Sequence, residues 1–345
     1  MLIDETAMPT GLRHSTNVTP GIRRYPRGKG FSYTDENGRT ISSLAERERL
    51  ANLAIPPAYL DVWICPSPQG HLQATGRDAR GRKQYLYHRD FRTARDERKF
   101  DRIVAFGSAL PRARAAVTRD LAQPAGAPVS QRAVTAALVR LLDTTMVRVG
   151  NDEYARTNKS YGLTTLRKRH AALQGDKLRL KFRGKSGVEH EVALKDRQVA
   201  RIVQSCQALP GQELFKYLDA AGQLRSVGSA EVNDYLRAIS GGDFTAKDFR
   251  TWHASATALA LFKQLDEAAQ EAINSTVANR LIAEVAQLLG NTVAVCRKSY
   301  IHPEVLALLH KTKTMSAESK AVQPRRKAGL TASECGFLAF VRAFE

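Results

Sequence analysis

The chain has 345 residues, 43% of them hydrophobic and 25% charged, a balance ordinary for a soluble globular protein and enough length for two domains with their own cores. Its four cysteines, Cys65, Cys206, Cys296 and Cys335, share no C-x-x-C or ligand spacing, which argues against a disulfide framework and a zinc site. Lys and Arg number 53 against 34 Asp and Glu, giving a formal net charge of +19, and an excess of that size predicts a polyanionic partner, nucleic acid before all others. No run approaches the roughly 18 apolar residues of a membrane span. The opening Met1-Leu-Ile-Asp-Glu5 has neither a basic nor an apolar signal region, so a cytoplasmic protein with reduced thiols and no membrane contact is expected.

Residues 1–20 are polar and unpatterned and read as a mobile arm. From residue 21 to 95 the pattern is that of a small, mostly antiparallel β domain. Phe31–Thr34 and Arg39–Ile41 read as a hairpin closed at Asn37-Gly38, and a short helix follows from Ser43 to Leu53. Three extended runs come next, at 61–65, 71–75 and 84–88, separated by Pro/Gly turns and a basic loop. From Asp96 onward long amphipathic helices take over. The spacing predicts a helix from Lys99 to Gln123 interrupted at Pro111, then a linker at 124–128. Ser130 caps a helix whose Val134, Leu138, Leu141, Leu142 and Thr145 share one face and which delivers Arg148 at its end. Two alternating runs, 178–182 and 188–192, form a hairpin with Lys185 at its tip. Further helices are predicted over 196–207, 229–239, 246–263, 275–289 and 292–311. A basic linker, 312–328, precedes a terminal helix over 332–344 that opens on a capping box, Thr331-Ala-Ser-Glu334.

Arg148, Lys185, Arg250, Asn291 and Tyr300 form a set suited to breaking a phosphodiester without metal. A tyrosine hydroxyl, with an ordinary pKa of about 10, needs neighbours that favour its oxyanion. Arginine forks match two phosphate oxygens and stay charged, a lysine can give a proton to a leaving oxygen, and an asparagine adds a neutral donor. Gly184-Lys185-Ser186 imitates the end of a phosphate-binding loop, but Arg179 stands where that loop needs glycine and the context is strand to strand, so nucleotide binding is rejected. There is no Asp-x-Asp pair to hold Mg²⁺, and His170, His190, His253, His302 and His310 lack metal-ligand spacing. No cofactor or metal is expected.

Taken together, the stretches Gly76–His88, Arg148–Asn151 with Tyr154, Tyr161–Leu166, Gly184-Lys185, Lys247–Trp252, Leu289–Thr292 and Lys298–Tyr300 resemble the poxvirus-like and bacterial branch of the DNA topoisomerase IB family. The resemblance spans roughly residues 30–303 in the family's order. It implies an α+β architecture, with the β domain and a larger, mainly helical catalytic domain over 96–345 forming a clamp around duplex DNA. It implies that Tyr300 attacks a DNA phosphorus to give a 3′-phosphotyrosyl link and a free 5′-hydroxyl. Arg148, Arg250 and Asn291 would hold the non-bridging oxygens, and Lys185 would protonate the departing oxygen. Supercoils of both signs would relax by strand rotation before religation, without ATP. The expected partner is duplex DNA, preferably supercoiled and nucleoid-associated, bound by a monomer with no obligate protein partner.

On the binding side, Arg80, Arg82 and Lys83 are expected to track phosphates and Gln84 to meet an adenine edge, while Tyr85 and Tyr87 share one strand face. Tyr154 joins the DNA-binding set. The chain departs from viral members at Asn151 and Glu153, where they carry lysines, and at Asn291, where they carry histidine. Strict sequence specificity is therefore not expected, nor a histidine-dependent acid limb in the cleavage rate. A tyrosine recombinase is the nearest alternative, but Lys247 stands where recombinases carry histidine and residues 30–88 match a topoisomerase β domain. A non-catalytic, basic DNA-compacting protein would explain the charge alone.

Overall fold

The computed structural model describes residues 8–28, 30–79, 81–124, 128–311 and 326–344. The chain divides into two compact units, Met1–Asp101 and Arg102–Glu345. Together they form a mixed α+β protein. Among the described residues no helix is long and apolar enough to cross a membrane.

The first unit is built on an antiparallel sheet of order β2-β1-β3-β4-β5. Its strands are β1 (Ile22–Arg27), β2 (Gly30–Thr34), β3 (Leu60–Ile64), β4 (Leu72–Arg77) and β5 (Lys83–Tyr87). The alternation of β3 sends Val62 and Ile64 to one face, against Ile22, Leu50 and Ala74, and Trp63 and Cys65 to the other, against Leu72. Helix α1 (Leu44–Asn52) starts where Ser43 accepts the Glu46 N–H and covers the first face with Leu50.

Two expectations differ here. The first hairpin joins β1 to β2 through full pairing of Arg23–Arg27 with Gly30–Thr34, while the Asn37-Gly38 turn closes only a single bridge between Thr34 and Thr40. Pro26 hid β1 from sequence reading, because proline lacks a ladder donor. It is accommodated because β3 pairs only with Ile22 and Arg23, so Pro26 faces one neighbour. The polar stretch read as an arm is also tied down from Arg13 onward. Arg13 bridges Gly70, Ser15 Oγ donates to the Leu72 carbonyl at 3.0 Å and Trp63 Nε1 donates to the Thr19 carbonyl at 3.0 Å. Residues 1–7 lie outside the described set. The unit ends in α2 (Arg89–Asp101), so helix begins before Asp96.

The second unit is mainly helical. Helix α4 (Gln131–Thr145) is buried along most of its length and packs against α3 (Ile103–Leu121), α6 (Arg197–Ala208), α7 (Ser229–Ser240) and α8 (Ala246–Gln264). Pro111 lies inside α3 and does not interrupt it. The lost hydrogen bond and ring clash cost about 3 kcal/mol, which the buried face Phe106, Leu110, Ala113, Val117 and Leu121 outweighs. Three strands, β6 (Ala171–Gln174), β7 (Lys177–Arg183) and β8 (Glu189–Lys195), make an antiparallel sheet. Strands β9 (Lys216–Leu218) and β10 (Leu224–Ser226) form a hairpin. Short helices α5 (Asp152–Asn158) and α9 (Glu267–Glu271) precede α10 (Ser275–Leu289).

The single helix expected over 292–311 is two, α11 (Val293–Ser299) and α12 (Pro303–Leu309). Pro303 cannot donate backward, and the residue before a proline is driven out of the α region; His302 accordingly has φ −60° and ψ 139°. That break is where Tyr300 emerges. Helix α13 (Ala332–Arg342) opens on the expected Thr331/Glu334 capping box. Most of the predicted linker, 312–325, lies outside the described residues.

Candidate active site

Arg148 is placed by two turns of local chemistry. Helix α4 stops at Met146, which adopts a left-handed conformation (φ 55°) and donates its N–H to the Leu142 carbonyl. The chain then runs extended against residues 162–164, with Leu163 N donating to Arg148 O at 2.9 Å and Thr164 N to Val149 O at 2.7 Å. The approach is possible because two glycines meet: a Cβ on Gly162 would lie 2.6 Å from the Gly150 Cα. The Arg148 guanidinium so held donates to Asn291 Oδ1.

Asn291 follows Gly290, the left-handed residue (φ 59°) that ends α10. Its N–H returns to the Ala286 carbonyl at 2.9 Å, while its Nδ2 is buried without a hydrogen-bond partner among the described residues. A buried donor without an acceptor is costly to maintain, about 1–3 kcal/mol, and is well suited to a phosphate oxygen.

Arg250 sits on the second turn of α8, 3% exposed. It donates to the Met146 carbonyl at the end of α4 and to the Leu289 carbonyl at the end of α10, 2.9 Å away. One guanidinium thus satisfies the exposed acceptor ends of two helices, where the backbone field favours a cation. Its Nε is buried with no hydrogen-bond partner among the described residues. The guanidinium carbon lies 5.0 Å from the centroid of the Tyr300 ring.

Tyr300 closes α11, its N–H bonded to the Cys296 carbonyl at 2.9 Å. Ser255 Oγ, five residues after Arg250 on α8, donates to the Tyr300 carbonyl at 3.1 Å and accepts from His302 N at 2.9 Å. Burial alone would push the phenol up. The charge and hydrogen bond of Arg250, with Arg148 and Lys247 behind them, more than offset it, and the phenol lies below its ordinary value. Burial and the neighbouring Arg148 in turn lower the Arg250 guanidinium, against the pull of Tyr300.

Four of the five predicted residues therefore converge. Lys185 is placed differently: it is exposed on the loop between β7 and β8, and among the described residues it forms no hydrogen bond or ion pair. Sequence reading passed over His190 of β8, which is half-buried and held below its ordinary pKa by burial and by Arg148 and Arg250. Nothing in its spacing distinguished it from a strand residue.

In the first unit, Tyr85 and Tyr87 lie on one face of β5, with ring centroids 6.3 Å apart and planes within 13°. Tyr85 is 51% exposed, and Lys83 extends over its ring at 5.5 Å. Arg82 and Gln84 are already engaged, donating to Asp78 Oδ2 at 2.7 Å and 2.9 Å. Arg80 lies outside the described residues. Tyr154, 40% exposed, belongs to α5 in the second unit.

Asp143, His253 and Glu334 place potential ligand atoms within 4.8 Å of one another. Arg114 occupies the space between the carboxylates, donating to Asp143 at 2.7 and 2.8 Å and to Glu334 at 2.9 and 2.7 Å. The group is an ion-pair network joining α3, α4, α8 and α13.

Convergent guanidinium and amide donors thus surround a phenol held below its ordinary pKa, an arrangement that can bind a phosphate beside a nucleophilic oxygen. Comparisons with known proteins identify the family. Residues 88–326 match the family model described as eukaryotic DNA topoisomerase I, catalytic core, and residues 30–78 match the bacterial DNA topoisomerase IB N-terminal domain. The chain is 30% identical to DNA topoisomerase 1B of Acanthamoeba polyphaga mimivirus over 316 residues, 89% of this chain and 93% of the relative. Identity with DNA topoisomerase 1B of vaccinia virus (strain Copenhagen) is 23% over 308 residues, 86% and 92% of the two chains. A solved structure of the XerH site-specific recombinase bound to its difH substrate, post-cleavage, matches with a TM-score of 0.36 and 14% identity, covering 57% of this chain and 49% of that one. The chain belongs to the DNA topoisomerase IB family and is a type IB DNA topoisomerase.

Proposed function

We propose that Tyr300 is the nucleophile of this topoisomerase. The phenolate oxygen bonds to phosphorus, the bond to the 5′-oxygen breaks, and the nicked strand is left on the enzyme as a 3′-phosphotyrosyl ester beside a free 5′-hydroxyl. Arg148, Arg250 and Asn291 hold the non-bridging oxygens. Lys185 gives its proton to the leaving 5′-oxygen, and the phenolic proton passes to solvent.

The observation that carries this reading is the pairing of Tyr300 with Arg250 at 5.0 Å in a site where two buried donors, Arg250 Nε and Asn291 Nδ2, have no hydrogen-bond partner among the described residues. Such fixed donors act mainly by stabilising charge that develops in the transition state. Lys185, exposed on its loop, is free to follow the 5′-oxygen of bound DNA.

Because the ester retains the energy of the bond it replaced, religation requires neither ATP nor metal. Rotation of the nicked duplex between the two steps relaxes supercoils of either sign. Duplex DNA is the partner, engaged by a monomer in the nucleoid. Lys83, Tyr85 and Tyr87 make the strand contacts, with Arg82 and Gln84 beside them and Tyr154 on the second unit; Arg80 adds a further phosphate contact, and Arg82 and Gln84 exchange Asp78 for DNA.

The test is to quench a cleavage reaction with detergent and map the adduct. A peptide carrying Tyr300 esterified to a 3′-phosphate, opposite a 5′ end that a kinase labels directly, is expected. An adduct on another residue, or on the 5′ end, overturns the assignment.

A further inference from the structure

The catalytic lysine loop and the phosphate-holding end of α10 meet at one ring. His190 leaves β8 on the same face as its cross-strand partner Phe182 and stacks on it, with centroids 5.2 Å apart and planes within 13°. Beyond Phe182 the imidazole touches two glycines that are remote in sequence. A Cβ on Gly184 would lie 2.5 Å from His190 Cδ2, and one on Gly290 would lie 2.3 Å from His190 Cε1. Real carbon neighbours do not approach so closely, so both positions are kept free of a side chain by the ring between them.

Each of those glycines immediately precedes a residue of the proposed reaction, Gly184 before Lys185 and Gly290 before Asn291. We propose that His190 is a positioning residue, a rigid spacer that sets where the Lys185 loop stands relative to the Asn291 end of the phosphate site. The inference rests on the assignment of Lys185 as the proton donor.

The surroundings explain why a ring is suited to the task. The loop carrying Lys185 is short and strained, with Ser186 at φ 65°, and its closure depends on Gly184 N donating to Val188 O at 2.7 Å. Gly290 is fixed as the left-handed end of α10. A flat side chain clamped against Phe182 fills the interval between the two backbones without freedom of its own. An aliphatic chain would have rotamers to lose.

The consequence is specific to one chemical step. Without the ring the loop can close on Gly290 or swing from it, and proton delivery suffers while the tyrosine, both arginines and Asn291 remain in place. Misplacing a reacting group by about 1 Å costs on the order of 10²-fold.

The experiment measures single-turnover cleavage of two duplexes, one with an ordinary phosphodiester and one with a 5′-bridging phosphorothiolate, whose thiolate leaves without protonation. His190→Ala should be slowed about 10–100-fold on the ordinary substrate and stay close to wild type on the phosphorothiolate. Gly184→Ala should reproduce that pattern, because φ −95° suits any residue and only the contact with the ring changes. His190→Phe keeps the flat ring and should stay near wild type on both substrates.

Wild-type rates for His190→Ala, or equal slowing on both substrates, would overturn the spacer. So would His190→Phe being as slow as His190→Ala, since the ring nitrogens and not its shape would then matter. Lys185→Ala, run alongside, separates the two claims. If phosphorothiolate fails to rescue Lys185→Ala, the proton-donor assignment fails and the spacer with it. If it rescues Lys185→Ala but not His190→Ala, the spacer fails alone.

Discussion

Arg250→Lys preserves the charge and removes the fork. In the wild type this guanidinium supports two carbonyls, Met146 O and Leu289 O, keeps Nε buried for a further acceptor and faces the Tyr300 ring at 5.0 Å. An ammonium cannot reach all of these, and Lys for Arg is not conservative where the fork is used. Losing one transition-state donor costs about 10²–10³ in rate, or about 2.7–4 kcal/mol. A buried carbonyl left unmet costs about 1–3 kcal/mol of stability.

The pH dependence should move as well. Arg250 is the strongest of the groups that hold the Tyr300 phenol below its ordinary value against burial. A weaker contact returns the phenol toward or above that value, so the rising limb of the cleavage rate shifts to higher pH. Single-turnover cleavage between pH 6 and about 10, spanning the phenol's ordinary range, together with thermal melts, reads both effects. A variant that cleaves within about threefold of wild type, well under the cost of one donor, with an unmoved limb would refute the reasoning.

Asn291→Asp is nearly isosteric and keeps an acceptor for Arg148, but it replaces the unpartnered Nδ2 donor with an oxygen that repels phosphate. Cleavage should fall by about 10²-fold or more while the melting temperature holds or rises; loss of both together would contradict a phosphate-binding role. Glu334→Gln breaks one arm of the Arg114 network and should destabilise the fold by about 3–5 kcal/mol at neutral pH, measured by urea titration. Burial opposes ionisation of Asp143 and Glu334, but Arg114 and their other partners hold Asp143 at about 2 and Glu334 below its usual range. Depressed carboxylates contribute stability that is full above their unfolded pKa and lost as pH falls through the folded one. The variant's deficit should therefore shrink between about pH 5 and 2, and a deficit constant across that range would show that the charge is irrelevant. Lys83→Gln should weaken DNA binding and reduce the slope of log affinity against log salt by about 0.9; an unchanged slope would remove Lys83 from the phosphate contacts.

How much of this was legible in the sequence depended on whether the cause was local. Ser130, Ser43 and Thr331 cap their helices as their side chains dictate, and the alternation over 178–182 and 188–192 appears as β7 and β8 in full pairing. Arg148, Arg250, Asn291 and Tyr300 were recognisable as a set, and they do converge. Pro111 misled because tertiary packing along α3 overrides its local preference, whereas Pro303 was overlooked although it divides the last helices and frees Tyr300 from a regular turn. What stayed hidden was made of backbone and of long-range fit. The carbonyls of Met146 and Leu289 that seat Arg250 carry no residue signature. Nor did Arg82 and Gln84 reveal that Asp78 engages both of them, since that ion pair requires the turn to be folded. His190 gains meaning only from Gly184 and Gly290, which lie 106 residues apart.

Relaxation of a negatively supercoiled plasmid in EDTA without ATP, by the wild type and by Tyr300→Phe, tests the role of Tyr300 most directly. The ring of Tyr300→Phe still packs over Arg250 but has no oxygen to bond to phosphorus. The wild type should relax the plasmid through a ladder of topoisomers, and the variant should leave it supercoiled while still binding DNA. Relaxation by Tyr300→Phe, or none by the wild type, would contradict the central claim.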